Sequence, residues 1–221
     1  HLNCPEPDLK TGKEMVNYLE IQTTEVTVAL VGKYTQLHDA ISVCRSTQTW
    51  WNFQPRYCQY QVVDSDGNAD NVDEILGDVS GILVPGGFGN RGIDGMLEAI
   101  KYARTHNIPF LGLCLGMQLS IVEFARDVIG YNDAHSAELD PDTTHPSFIS
   151  CQSRLALKIS VNIKTWLLPM VLNKDSKAYK LYGSEEIQER HRHRYEVNND
   201  YRDVLTQMVC YYPDFLRMDV L

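Results

Sequence analysis

From Glu25 the chain runs VTVALVG, a β-branched apolar run closed by glycine. A run with no polar alternation predicts a strand covered on both faces, as in a parallel sheet. A second run, YCQYQVV from Tyr57 to Val63, predicts another strand, followed by the turn-rich DSDGN and a short helix at Val72 to Leu76. GILV gives a third strand, Ile82 to Val84, that stops at Pro85-Gly86-Gly87. In IDGMLEAIKYARTHN, the residues Met96, Leu97, Ile100 and Ala103 recur at helical spacing, and IPFLGL makes a fourth short strand. Leu119, Val122, Ala125 and Ile129 then place a third helix directly behind Cys114.

Strand and helix in alternation predict an α/β fold, a doubly wound, mostly parallel sheet with helices on both faces. Residues 1–24 are polar and proline-containing without a clear period, and predict an interdomain linker or surface arm ahead of one domain over 25–221. Residues 147–173 lean towards strand without a definite assignment, and Lys177 to Val204 is charged and predicted helical in parts.

Composition narrows the function classes. The chain has 221 residues, 43% hydrophobic, enough to bury one sizeable core. Its formal net charge of -9, with acidic residues spread along the chain, argues against a nucleic-acid backbone as partner. Six cysteines at irregular spacing, with no Cys-x-x-Cys pair, suggest neither a metal centre nor a disulfide framework, and fit a reducing, cytoplasmic compartment. No apolar run approaches the roughly 18 residues that span a bilayer, so no membrane partner is expected.

The candidate chemistry lies in FLGLCLGMQ, residues 110–118. A strand that runs through Gly-x-Cys-x-Gly into a helix has the form of a nucleophile elbow: Gly112 and Gly116 leave room for a tight turn with Cys114 at its tip. The thiol then points over the carboxyl edge of the sheet, where open α/β folds bind ligands. The helix N-terminus behind it is expected to lower the thiol pKa. The loop Pro85-Gly86-Gly87-Phe88-Gly89, also at a strand end, can lie beside the elbow. Its N–H groups, with that of Leu115, would form an oxyanion hole for acyl transfer. A buried core thiol and a ligand-free glycine turn are the plain alternatives.

Together VALVGKY, GILVPGGFGNRG, IPFLGLCLGMQ, DAHSAELDPDTTHP and ERHRHRYEVNN resemble the glutaminase domain of CTP synthases, class I glutamine amidotransferases of flavodoxin-like architecture. PEPDL resembles the linker that joins the two domains of those enzymes. The resemblance covers about half the chain. It implies hydrolysis of L-glutamine through a thioester on Cys114, with ammonia supplied for amination of UTP to CTP. Gly87, Leu115, Gly116, Met117 and Gln118 would line the glutamine and oxyanion site, Glu138 would hold the substrate amino group, and Arg194 would stand at the amino-acid end. The same resemblance implies a synthetase domain in cis, homo-oligomers of the full-length protein, and no cofactor in this domain. ATP and Mg would belong to the synthetase domain.

Three stretches depart from the family: residues 44–57, with large aromatics off helical spacing; residues 147–173, without the family's glycine-rich stretch; and residues 203–210, which look shortened. The family closes its site with His-Pro-Glu, the histidine acting as base. Here Tyr212-Pro213-Asp214 stands in that place. Asp214 could orient a base, but a phenol with a pKa of about 10 is a poor one near neutrality. Two accounts of the gap stand open, a degenerate or inactive paralogue, or a sequence that omits loops and carries wrong letters in these stretches. The functional alternative is a catalytically inactive glutamine-binding or scaffold paralogue.

Overall fold

The computed structural model describes residues 8–20, 24–33, 56–66, 71–150, 166–191 and 195–211. Residues 44–55 of the aromatic segment 44–57 and residues 151–165 of the β-leaning segment 147–173 lie outside them, as do Arg194, Tyr212 and Asp214.

Four strands form a parallel sheet in the order β2-β1-β3-β4, with β1 at Thr24–Gly32, β2 at Arg56–Asp64, β3 at Gly81–Val84 and β4 at Phe110–Gly112. Ala29, Val31, Ile82 and Val84 point to one face. There they meet α2 (Val72–Leu76), α3 (Ile93–Thr105) and α4 (Leu115–Phe124) through Leu76, Met96, Ile100, Leu119 and Val122. On the opposite face Leu30 and Leu83 are also buried, so the sheet is covered on both sides, as its unbroken apolar strands require.

Helices α3 and α4 differ in kind. α3 buries Ile93, Met96, Leu97, Ile100 and Ala103, one stripe at helical spacing, and leaves its other face wet. α4 is buried on nearly every side, Gln118, Ser120 and Glu123 included, which makes it the central helix. It continues as a π-helical turn, Ala125–Ile129, which closes on Gly130 at φ 92°.

The rest of the described chain forms two smaller sheets. β5 (His135–Ser136), β6 (Pro146–Ser150) and β9 (Tyr195–Val197) form one. β7 (Trp166–Val171) and β8 (Glu186–His191) form an antiparallel pair. Two helices complete the set, α5 (Lys177–Tyr182) and α6 (Arg202–Tyr211). The charged stretch predicted helical in parts therefore also holds two strands. The predicted polar arm contains a helix of eleven residues, α1 (Lys10–Glu20), whose first free amide, Lys10 N–H, donates to Asp8 Oδ1 at 3.0 Å. Among the described residues no helix is long and apolar enough to cross a membrane.

Candidate active site

The strand order brings the C-terminal ends of β1, β3 and β4 side by side, next to the point where the order reverses, and ligands gather there in open α/β sheets. Lys33 at the end of β1 and the loops leaving β3 and β4 form the site.

Cys114 sits between β4 and α4 at φ 54°, ψ -102°, a conformation that costs a residue with a side chain about 1–3 kcal/mol. Its flanking glycines are sterically required. A Cβ on Gly116 would lie 2.1 Å from the Val84 carbonyl oxygen, and one on Gly112 would lie 2.6 Å from the backbone of Gly116. The turn is tied to β3 by Leu113 N–H, which donates to Val84 O at 2.9 Å.

Gly86 and Gly87 lie directly against this turn. A Cβ on Gly86 would meet Cys114 Cβ at 3.3 Å, and one on Gly87 would meet Leu115 Cδ2 at the same distance. Leu115 donates its N–H to the Cys114 sulfur. The neighbouring amides are spent within the turn, Gly116 N–H on Leu113 O and Gln118 N–H on Cys114 O, both at 3.0 Å. Gln118 is buried in α4, and Met117 O accepts from Ser120 Oγ at 2.7 Å. Of the run Leu115 to Gln118, Leu115 is thus the residue whose amide is seen to face the thiol.

The thiol itself departs from the sequence expectation. Burial pushes its pKa above the ordinary cysteine value; the Leu115 N–H opposes that rise, and the Glu138 charge adds to it. Cys114 reaches solvent as a residue, yet the loops around its sulfur exclude enough water to favour the neutral form. Desolvation outweighs the Leu115 N–H at the start of α4, so the neutral thiol is favoured and needs a base.

Glu138 comes within electrostatic reach of Cys114 from the loop between β5 and β6, where its N–H donates to Ser136 Oγ at 3.3 Å. That loop is joined to the glycine loop by Asn90, whose Nδ2 donates to Leu139 O at 3.1 Å. Lys33, just beyond β1, lies beneath the same glycine loop. Its Nζ donates to Phe88 O at 3.2 Å and to Gly89 O, and its residue is 9% exposed. Burial, and secondarily the Arg91 charge, pulls its pKa down against the opposing pull of Asp66. Sequence reasoning missed both Asn90 and Lys33. The available signal for Lys33 was its place at the carboxyl end of a central strand.

Among the described residues no imidazole is among the groups acting on the Cys114 thiol. His106 stacks on Tyr102 with ring centres 4.0 Å apart. His145 stacks on Tyr131 at 4.4 Å and pairs with Asp133, and His135 Nδ1 accepts the Ser136 N–H at 2.9 Å. His1, His38 and His193 lie outside the described residues with Arg194, Tyr212 and Asp214, as does the side chain of His191. Among the described residues no three His, Cys, Asp or Glu side chains converge to hold a metal ion.

The profile of the family Glutamine amidotransferase class-I matches residues 51–211. CTP synthase of Levilactobacillus brevis is 44% identical over 209 residues, spanning 93% of this chain and 39% of that protein. CTP synthase of Clostridium acetobutylicum is 45% identical over 210 residues, with the same 93% and 39% coverage. The chain thus spans well under half the length of these relatives. Among solved structures, the glutaminase domain of Trypanosoma brucei CTPS with bound acivicin superposes with a TM-score of 0.69 at 36% identity, covering 83% of this chain and 72% of that one.

Proposed function

The chain belongs to the class I glutamine amidotransferases, and from that premise we propose that it is the glutaminase part of a CTP synthase, hydrolysing L-glutamine at Cys114. One observation carries the proposal. A strained cysteine at the carboxyl edge of the sheet has a side-chain-free glycine loop against it and the Leu115 N–H on its sulfur.

The glutamine carboxamide enters between Cys114 and Gly86-Gly87. As the thiol gives up its proton, Sγ bonds to the carboxamide carbon and the carbonyl oxygen becomes an oxyanion. The Leu115 N–H turns from the sulfur to that oxygen, joined by an N–H of the Gly86-Gly87 segment; fixed donors of this kind supply a large share of acyl-transfer catalysis. Collapse breaks the C–N bond, and the nitrogen takes the proton and leaves as ammonia. Water then adds to the thioester, the C–S bond breaks, and glutamate is released with the thiol restored.

Glu138 suits the substrate's α-ammonium, an opposite charge within reach of the reacting centre, and Arg194 is proposed for the α-carboxylate. Gly87 and the stretch Leu115 to Gln118 form the pocket wall and turn. The base position falls to the Tyr212-Pro213-Asp214 stretch, with Asp214 as orienting carboxylate. Only the phenolate form can accept the thiol proton, and it is scarce near neutral pH for a group with a pKa of about 10, so slow turnover that quickens with rising pH is expected.

The ammonia is proposed to pass to a synthetase domain in the same polypeptide, where it aminates UTP to CTP. ATP and Mg serve that domain, and the reaction of this chain uses no cofactor. A cytoplasmic homo-oligomer is the proposed setting of the full-length protein.

Ammonia release from glutamine and a mass adduct of acivicin on Cys114 test the proposal, with Cys114→Ser as control. Release and adduct, both lost in the variant, are expected. An adduct without ammonia would favour the catalytically inactive glutamine-binding alternative, which the comparisons do not support. A folded chain giving neither would overturn the proposal.

A further inference from the structure

Lys33 and the glycine loop are far apart in sequence but form one unit in space. The lysine stem runs under Gly87, where a Cβ would stand 3.6 Å from Lys33 Cδ and 3.9 Å from Cε. Its ammonium ends on the carbonyl groups of the next two residues, Phe88 and Gly89. Phe88 and Gly89 are themselves exposed, and Gly89 has φ 74°. A short glycine-rich loop of this kind has many conformations open to it and little packing to choose among them.

An ammonium drawn out of water is unfavourable unless it is hydrogen-bonded, and here the partners are loop carbonyls. Two accepting carbonyls fix the turn of their peptide planes, and the lysine stem fixes the height of Gly87 above Leu115. Each constraint acts on the segment that must aim an N–H at the oxyanion. We propose that Lys33 is a positioning residue for the glutaminase reaction, holding the Gly86 to Gly89 backbone in the orientation that serves the oxyanion at Cys114. The inference rests on the glutaminase function proposed above.

Lys33→Met keeps the stem and removes the ammonium; Lys33→Arg keeps a donor. In Lys33→Met the kcat for glutamine hydrolysis should fall at least about tenfold, a part of the loss seen when an oxyanion donor is removed outright. KM should stay within about threefold, and alkylation of Cys114 by iodoacetamide, which needs no oxyanion hole, should be unchanged. The thermal midpoint should hold or rise, because a buried ammonium is replaced by an apolar side chain. Lys33→Arg should recover part of the kcat. Amide hydrogen exchange over residues 86–90 should quicken in Lys33→Met and remain slow in the wild type. Unchanged kcat in Lys33→Met, or a loss that appears wholly in KM, overturns the inference. If the wild type releases no ammonia, the glutaminase proposal fails by itself. Exchange then decides the role of Lys33: quickened exchange upholds the clamp, and unchanged exchange overturns it.

Discussion

A Cβ placed on Gly86 would stand 3.3 Å from Cys114 Cβ and 3.9 Å from its sulfur, so the loop after β3 faces the cysteine closely enough that a side chain there would crowd it. Gly86 does not have a positive φ, so alanine is allowed there by the backbone. Gly86→Ala should cost about 1 kcal/mol of stability through crowding. Its glutaminase rate should fall about a hundredfold, because the added methyl occupies the approach to the carboxamide and pushes the loop donors back. Urea unfolding alongside ammonia release separates the two effects, and a full rate in a folded variant would show that substrate does not enter here.

The raised pKa of the Cys114 thiol gives a pH prediction. Without glutamine, alkylation by iodoacetamide should be slow at neutral pH and rise through the alkaline range, with its midpoint above the ordinary value of about 8.5. Glu138→Gln removes a negative charge that holds the thiol protonated. That variant should alkylate faster than wild type at the same pH while binding glutamine more weakly. Opposite changes in the two assays would place Glu138 at the substrate and near the thiol together; parallel changes would argue for a general disturbance.

Arg104 anchors the only strongly buried carboxylate pair seen among the described residues. Its Nη2 lies 2.7 Å and its Nε 2.8 Å from Glu123 Oε1, and Glu123 is 3% exposed with Oε2 lacking a hydrogen-bond partner. Burial raises the Glu123 pKa, and Arg104 is the main influence opposing it. Arg104→Met should destabilise by about 3 kcal/mol, since it leaves a carboxylate inside without its partner. With its folded pKa raised further, Glu123 is tolerated while protonated and becomes costly as pH rises through that pKa, so the deficit should grow with pH. Replacing Glu123 with methionine as well should recover much of the loss, as read from urea midpoints.

How much of this was legible in the sequence depended on how local the determining contacts are. The strands VTVALVG and GILV and the stripe Met96, Leu97, Ile100 and Ala103 announce themselves because burial repeats at a fixed spacing. α1 was hidden by the polar, proline-containing residues around it, and its signals were the Asp8 carboxylate ahead of it and the spacing of Met15, Val16 and Leu19. β8, EIQERH in sequence, is a charged strand in a two-stranded pair and lacks the alternation that reveals a strand with a buried face. Cys114 was legible because its two glycines are required within five residues of chain. Lys33 was not, because its acceptors are 55 and 56 residues away. The direction of the thiol pKa was misread because a helix N-terminus can be seen in sequence, and the water excluded by three converging loops cannot.

Asp133 offers a test of local order next to the Glu138 loop. Its carboxylate accepts from Thr144 Oγ1 at 2.6 Å and Thr144 N–H at 2.7 Å and pairs with His145, and these bonds hold its pKa well below the usual carboxylate range. A depressed folded pKa contributes stability that is present above the unfolded value, about 3.9, and is lost as pH falls through the folded one. Asp133→Asn should therefore be less stable than wild type at neutral pH, with the gap narrowing below about pH 4. A gap that does not vary with pH would assign the effect to geometry instead of charge.

The left-handed backbone at Cys114 has an evolutionary corollary. Glycine would adopt φ 54° freely, so a chain relieved of any need for this thiol could gain about 1–3 kcal/mol by a single replacement there. Drift should erase such a residue first, because stability and neutrality favour the same substitution. Keeping a cysteine at this dihedral is thus a standing cost in stability, and Cys114→Gly should give a protein that melts later and releases no ammonia.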